Sequence, residues 1–153
     1  RLLRAAYFGL HRLSDVHFTS HGVTADQFVL LARLAEQDGI TQQALARLAS
    51  SDPSTIRAML ILLEGRGLVA RERNPDDSRA RLVTLTTKGR RVFQRLFRSS
   101  EPIRMQMLTG FSADEAQSLV DNLRRLVENM AAAKRPNRTR AKLTPATASE
   151  IET

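Results

Sequence analysis

The chain has 153 residues, with 24 Lys and Arg against 16 Asp and Glu and a formal net charge of +8. This length is enough for one domain with its own core, and the lack of cysteine excludes disulfides and thiol redox sensing. No apolar run approaches the roughly 18 residues of a transmembrane helix and no signal peptide is visible, so we expect a cytoplasmic protein with no membrane partner. Because the chain opens on Arg1 rather than methionine, we expect its natural start to lie upstream.

The positive charge is concentrated in two segments. Residues 41–91 hold ten Lys and Arg against five acids, and residues 134–153 hold five against two, whereas the other segments are balanced. A concentration of this kind is typical of a surface that neutralises nucleic-acid phosphates. A solvated surface that only keeps a protein in solution has the same composition. The charge therefore indicates DNA binding only where it coincides with a DNA-binding fold.

Two helices are predicted at the start of the chain. The apolar side chains of residues 1–18 recur at helical spacing and form a broad surface: Leu2, Leu3, Ala6, Tyr7, Phe8, Leu10 and Leu13. The second helix spans residues 24–36, with Thr24 as its N-cap and Gln27 as the capping-box partner. Its expected inward face is Phe28, Leu31, Ala32 and Ala35.

A helix-turn-helix is predicted next. Thr41 is the expected cap of a short helix over residues 42–49, and residues 50–52 join it to a longer helix. Asp52 followed by Pro53 is typical of a helix start, because Asp caps unpaired N–H groups and Pro suits the first position. Gly67 is expected to end this helix in the left-handed conformation. The second helix of such a pair enters the major groove.

The longer helix has two distinct faces. Ile56, Met59, Leu60 and Leu63 recur at the spacing of one buried helix face. The opposite face is small or polar apart from one isoleucine: Ser54, Thr55, Arg57, Ala58 and Ile61.

Two short strands, residues 68–73 and 79–85, are predicted after this helix. The residues between them, 74–78, have turn chemistry. A helix followed by a β-hairpin with basic flanks is the layout of a winged helix-turn-helix. The expected fold class is therefore mainly α with a small β-hairpin wing.

Two more helical segments follow the hairpin. Thr86 is the expected cap of the first, and Pro102 should kink or interrupt it. Residues 112–115 form a capping box that opens the last helix. Its apolar stripe is long: Ala116, Leu119, Val120, Leu123, Val127 and Met130. Residues 134–153 lack periodicity and predict a flexible basic tail.

One stretch resembles a known family. Leu63-Glu64-x-x-Gly67-Leu68-Val69-x-Arg71, followed by Asp77-x-Arg79-x-x-x-Val83-x-Leu85-Thr86, is similar to the MarR family of bacterial transcriptional regulators. The resemblance covers residues 1–133. It implies a single domain, with the winged helix-turn-helix over 24–88 and dimerisation helices over 1–20 and 90–133.

The resemblance also implies a function. It implies a homodimeric repressor that binds a pseudo-palindromic double-stranded DNA operator and is released by a small-molecule effector, an aromatic acid or its thioester. Two alternatives stay open. The end helices could pack on each other within one chain, and the fold could serve as a protein-interaction module without specific DNA binding.

Eight residues are predicted to lie at the DNA. Arg57 suits bidentate contact with guanine, or it is a surface arginine that contacts phosphate or nothing. Arg79 at the hairpin tip suits a narrow minor groove. Asp77 could hold the Arg79 guanidinium in a bidentate pair, or the two could form only a turn-stabilising ion pair. Phosphate or base contacts are expected of the remaining five: Gln42, Ser54, Thr55, Arg73 and Arg81. Ser54 could equally be a helix-start residue that contacts no DNA.

The resemblance implies that His11, Arg12 and His17 line an effector pocket, with Arg12 as an anion anchor. Ordinary surface roles for all three are an equal alternative. His17 and His21 have a spacing that suits a metal, but no third ligand accompanies them, so no metal site is expected. There is no phosphate loop, nucleophile elbow or paired carboxylate, so we expect neither a cofactor nor an enzyme.

Overall fold

The computed structural model describes residues 1–75, 77 and 79–133. The predicted basic tail, 134–153, lies outside the described residues, as do Asp76 and Ser78 of the predicted turn. The described elements follow in chain order: α1 (Leu2–Thr19), α2 (Ala25–Glu36), β1 (Ile40–Thr41), α3 (Gln42–Leu48), α4 (Pro53–Gly65), β2 (Val69–Arg73), β3 (Arg81–Leu85), α5 (Thr87–Ser99), α6 (Glu101–Met107) and α7 (Ala113–Ala133). They divide into two compact units, one ending at Thr109 and one beginning at Gly110.

The predicted helix boundaries are confirmed by their caps. Thr24 and Gln27 form the capping box of α2, with both bonds at 3.2 Å. Gly67 follows the end of α4 with a φ of +67°. Pro102 lies in the first turn of α6, directly after the end of α5, so the predicted interruption is confirmed. Side-chain caps at α3, α4 and α5 come from Thr41, Asp52 and Thr86.

The sheet contains one strand more than the predicted hairpin. β2 and β3 pair antiparallel, with Val69 opposite Leu85 and Arg73 opposite Arg81. The short strand β1 pairs with the other edge of β3, with Ile40 opposite Val83. β1 is not predicted from the sequence, because two residues are too few to show an alternating pattern. β1 holds the start of α3 against the wing.

The core of the first unit lies where α2 and α4 meet the sheet. Its fully buried members are mostly leucine: Val23, Leu30, Leu31, Leu34, Leu45, Ile56, Leu60, Leu63, Leu68, Val69, Val83 and Leu96. The predicted inward face of α4 is confirmed, with Met59 packed at the core's edge. The predicted face of α2 is partly wrong, because Leu30 and Leu34 are buried whereas Ala32 is half-buried. α2 contacts α1, α3, α5 and β3, so it is enclosed on more than one side.

The two end helices expose apolar surface. In α1 only Phe18 is buried, and Leu3, Tyr7 and Phe8 are half or more exposed. In α7, described by itself, no residue is buried, and its capping box is confirmed by mutual bonds between Ser112 and Glu115. Within the described part of the chain, no helix is long and apolar enough to cross a bilayer.

Candidate nucleic-acid interface and ligand cavity

The start of α4 is organised by one carboxylate. Asp52 accepts hydrogen bonds from the backbone N–H groups of Ser54 and Thr55, at 3.0 and 2.9 Å. The Ser54 hydroxyl also donates to Asp52. These bonds, led by the one from the Ser54 side chain, hold the pKa of Asp52 well below its usual range. The helix start is therefore capped by a carboxylate that stays ionised at neutral pH, and the Ser54 hydroxyl is engaged within the protein.

The outward face of α4 presents the predicted contact residues to solvent. Ser54, Thr55 and Arg57 are all exposed. Because Ile56 and Leu60 are fully buried on the other side, this face cannot turn inward without emptying the core. Among the described residues, no ion pair or hydrogen bond engages the Arg57 guanidinium.

The wing presents three arginines. Arg73 and Arg81 lie directly opposite each other on β2 and β3, and both are exposed. Arg79 is exposed in the loop between those strands. Like charges directly opposite on neighbouring strands destabilise a sheet. An anion lying between Arg73 and Arg81 would relieve this repulsion.

Asp77 does not hold Arg79 in the predicted way. Its carboxylate accepts a hydrogen bond from the backbone N–H of Arg79 at 3.0 Å, and no ion pair joins the two side chains in the described structure. This is an Asx-type turn, a competing role for Asp two residues before the donor. Asp77 therefore shapes the loop that carries Arg79, and it leaves the guanidinium available.

A cleft of about 540 Å³ joins the wing to the helix-turn-helix. Its wing side includes Asp77, Arg79 and Arg81, and its helical side includes Gln42 and Pro53. The fold thus brings four of the eight predicted DNA residues around one opening. Ser54, Thr55, Arg57 and Arg73 lie outside this lining.

A further wing arginine points back to the protein. Arg71 donates to Glu64 through Nε at 2.9 Å and also through Nη2, joining β2 to α4. These bonds hold the pKa of Glu64 below its usual value. Arg71 is thereby a brace between the wing and α4.

Glu64→Gln should lower stability most at neutral pH. A carboxylate whose pKa is lowered by folding adds stability above its unfolded pKa, ~4.3, and loses it as the pH falls through the folded value. The expected loss at pH 7 is about 0.5–1 kcal/mol, since both side chains are partly solvated. Thermal melts between pH 3 and 7 should converge on the parent at the acid end. Glu72→Gln, on an exposed strand position, is the matched control; an equal effect there would contradict the brace.

A second cavity, of about 410 Å³, lies within the first unit between α1, α2, α5 and α6. Its apolar lining includes four aromatic rings: Tyr7, Phe18, Phe28 and Phe97. Of the predicted effector residues, His11 lines it. Arg12 is exposed outside the lining, and His17 is turned to Ser99 on α5, 3.0 Å away. The structure therefore brings one of the three to the cavity.

Two charged residues of this cavity were missed from the sequence. Asp26 lines it from the first turn of α2, and Arg104 lines it from α6. In sequence, Asp26 is an ordinary acidic residue at a helix start and Arg104 an ordinary partner for Glu101. No sequence signal separated them from surface residues. Among the described residues, no group of three His, Asp or Glu is placed to hold a metal ion.

The chain is similar to known regulators along most of its length. A family model, the MarR family, matches residues 23–80. The regulator YdgJ of Bacillus subtilis, described as an uncharacterized HTH-type transcriptional regulator, is 32% identical over 123 residues, covering 80% of this chain and 75% of YdgJ. A mutant MarR from E. coli, solved in complex with operator DNA, is similar with a TM-score of 0.75 and 28% identity, covering 82% of this chain and 91% of that one.

A third similar protein is ligand-regulated. BpsR of Bordetella bronchiseptica, whose DNA binding is regulated by 6-hydroxynicotinic acid, matches with a TM-score of 0.75 and 29% identity, covering 82% of this chain and 96% of that one.

Proposed function

Because this chain belongs to the MarR family of transcriptional regulators, we propose that it is a homodimeric repressor that a small molecule releases from a two-fold operator. It would act in the cytoplasm, where the DNA is. The observation that carries the proposal is the arrangement of exposed arginines. Arg57 is exposed on α4, and Arg79 and Arg81 of the wing line the cleft that reaches the start of the helix-turn-helix.

This arrangement matches what duplex DNA requires. The recognition helix reads base edges in the major groove, and a basic hairpin tip suits the minor groove beside it. A phosphate between Arg73 and Arg81 would offset a repulsion that the free protein carries. The similar E. coli MarR mutant bound to its operator supports the same use of the fold.

Retention of genomic DNA fragments by the purified protein tests the proposal. We expect specific fragments to be retained, with an affinity that falls steeply as salt rises, because each phosphate contact releases a counterion. The retained sites should be two-fold repeats whose half-sites are ~10 bp apart. Binding to a single half-site would contradict the two-fold operator and the dimer. A lack of any salt-dependent retention would favour the protein-interaction alternative.

The apolar surface of the end helices predicts a stable dimer. Leu2, Leu3 and Phe8 of α1 are 85%, 57% and 50% exposed, and the stripe of α7 is exposed as well. A monomer seldom leaves so many large apolar side chains uncovered, and a symmetric partner that covers them also supplies the second half-site reader. Sedimentation equilibrium at micromolar concentration should give twice the 17.1 kDa chain mass. A monomer under these conditions would remove the basis for a two-fold operator.

The 410 Å³ cavity is the proposed effector site. Its volume and mostly apolar lining suit a small molecule with an aromatic body. The regulation of BpsR by 6-hydroxynicotinic acid supports a ligand-controlled release. Repression follows in our proposal because a protein seated on an operator excludes other proteins until the ligand removes it.

A further inference from the structure

The two charged side chains of the effector cavity differ in how far protein contacts already engage them. Among its described lining residues, Asp26 and Arg104 are the formally charged ones. Arg104 is already occupied: it donates to the Phe97 carbonyl and to Ser100 Oγ, both at 2.8 Å, and it pairs with Glu101. Its guanidinium also lies 4.3 Å from the centre of the Phe97 ring. Both Nη1 hydrogens of Arg104 are therefore used, and an incoming carboxylate could use only Nε–H and the second Nη2–H. These two donors lie beside the Glu101 carboxylate, which repels an anion.

Asp26 is far less engaged than Arg104. Its Oδ1 lies 3.3 Å from Nε2 of His11, at the long end of hydrogen-bond distances. No hydrogen bond reaches its Oδ2 within the described residues. The side chain is 61% exposed at the mouth of the cavity, so a ligand can reach it.

An aromatic ring accompanies this carboxylate. Tyr7 lines the cavity together with Asp26, and both also line a smaller adjoining cleft of about 210 Å³. A carboxylate beside an aromatic ring suits an ammonium group, since the ring attracts a cation and the carboxylate accepts its N–H bonds. The smaller cleft continues to Ser51 in the helix-turn-helix and to Thr55 on α4.

We infer that the effector cavity takes a small aromatic amine, whose ring lies among the aromatic side chains and whose ammonium group pairs with Asp26 beside Tyr7. The inference rests on the proposed function, because it names the ligand class of the proposed effector site. It replaces the aromatic acid that the family resemblance implied. The ammonium group would lie at the smaller cleft, which extends to the start of α4. The ligand would therefore bind close to the helix that is proposed to contact the bases.

Calorimetric titration of the full chain at pH 7 with three matched probes tests the ligand class. Naphthylmethylamine, naphthylmethanol and naphthoate share one ring system and differ in the charge of the head group. We expect the amine to bind about tenfold more tightly than the alcohol, because a hydrogen bond to a charged group exceeds one between neutral groups. Naphthoate should bind most weakly. Naphthoate binding as tightly as the amine, or no binding of any probe, would overturn the inference.

Two variants test whether Asp26 is the source of the preference for the amine. Asp26→Asn should weaken the amine about tenfold and leave the alcohol unchanged. Glu36→Gln removes a carboxylate from the same helix, outside the cavity, and should leave all three affinities as in the parent. An amine preference that survives Asp26→Asn would overturn the assignment.

Retention of operator DNA separates this inference from the proposed function. DNA binding that persists while the amine preference is missing would refute the ligand class alone. An amine preference in a protein that retains no DNA would refute the proposed function and leave the ligand site standing.

Discussion

Gly89→Ala is expected to cost most of the stability of the first unit. A Cβ at this position would lie 1.9 Å from the carbonyl oxygen of Leu68 and 2.9 Å from its carbon. Both distances are far inside van der Waals contact, and the obstacle is backbone, which cannot rotate away. Helix α5 would have to move off the sheet to accommodate one methyl group.

Leu68 has little freedom to yield. Its side chain is 1% exposed, and its carbonyl accepts the backbone N–H of Thr86 at 3.1 Å. Its own N–H donates to Leu63 at 2.9 Å. Overpacking in such a site costs about 3 kcal/mol or more, a large fraction of a domain's stability.

Urea denaturation should therefore show a much lower midpoint for Gly89→Ala, or no folded baseline. Gly65→Ala is the control, because a Cβ there meets nothing within 4 Å at the end of α4. That change should leave stability unaltered or raise it by about 0.5–1 kcal/mol, through a less flexible unfolded chain. A parent-like midpoint for Gly89→Ala would mean that α5 is not held against Leu68.

The fold was largely predictable because its boundaries depend on local chemistry. Thr24, Asp52 and Gly67 act on groups within a few residues of their own positions, so their capping roles can be inferred from the local sequence. β1 was not predictable, since two residues become a strand only by pairing with a distant one, Val83. The buried face of α2 was predicted only in part for the same reason. Elements that are distant in sequence pack on several sides of α2, so its buried residues do not form a single stripe.

For the candidate sites, too, local features were predictable from the sequence and features that depend on distant residues were not. The exposed face of α4 follows from periodicity, so Arg57 could be placed on it from sequence. The role of Asp77 could not be predicted, since Asp-x-Arg is compatible with both a side-chain pair and a backbone turn. The structure has the turn, in which the backbone N–H of Arg79 donates to Asp77. Asp26 and Arg104 come together with α1 only after folding. Arg12 and His17 of α1 lie outside the lining of this cavity.

Arg57→Ala and Arg79→Ala are expected to weaken operator binding in different ways. In our proposal Arg57 reads a base in the major groove, so its loss should cost on the order of 1–3 kcal/mol on the specific site and blur preference at one position. Arg79 would lie in the minor groove, which reports mainly width and potential. Its loss should weaken binding to many sequences, most strongly where the flanks are rich in A·T pairs.

Two variants of Asp77 distinguish its effect on the shape of the wing loop from the effect of its negative charge. Asp77→Ala removes the acceptor that holds the Arg79 backbone, so it should resemble Arg79→Ala in weaker form. Asp77→Asn keeps an acceptor oxygen at the same place and should bind close to the parent. Loss of binding in Asp77→Asn would instead assign the carboxylate a direct electrostatic role.

Titrations of these variants against the operator, and against operators with altered flanks, distinguish the roles. Arg98→Ala removes an exposed arginine of α5 outside residues 24–88 and controls for net charge. Because residue 98 lies in the proposed dimerisation segment, sedimentation should first show that this variant is dimeric, and its affinity should then change little. The salt dependence gives an independent reading, because losing a phosphate contact lowers its slope by about one. If Arg79→Ala matches the parent on every flank, the wing only supports the fold, and specificity has to come from α4 alone.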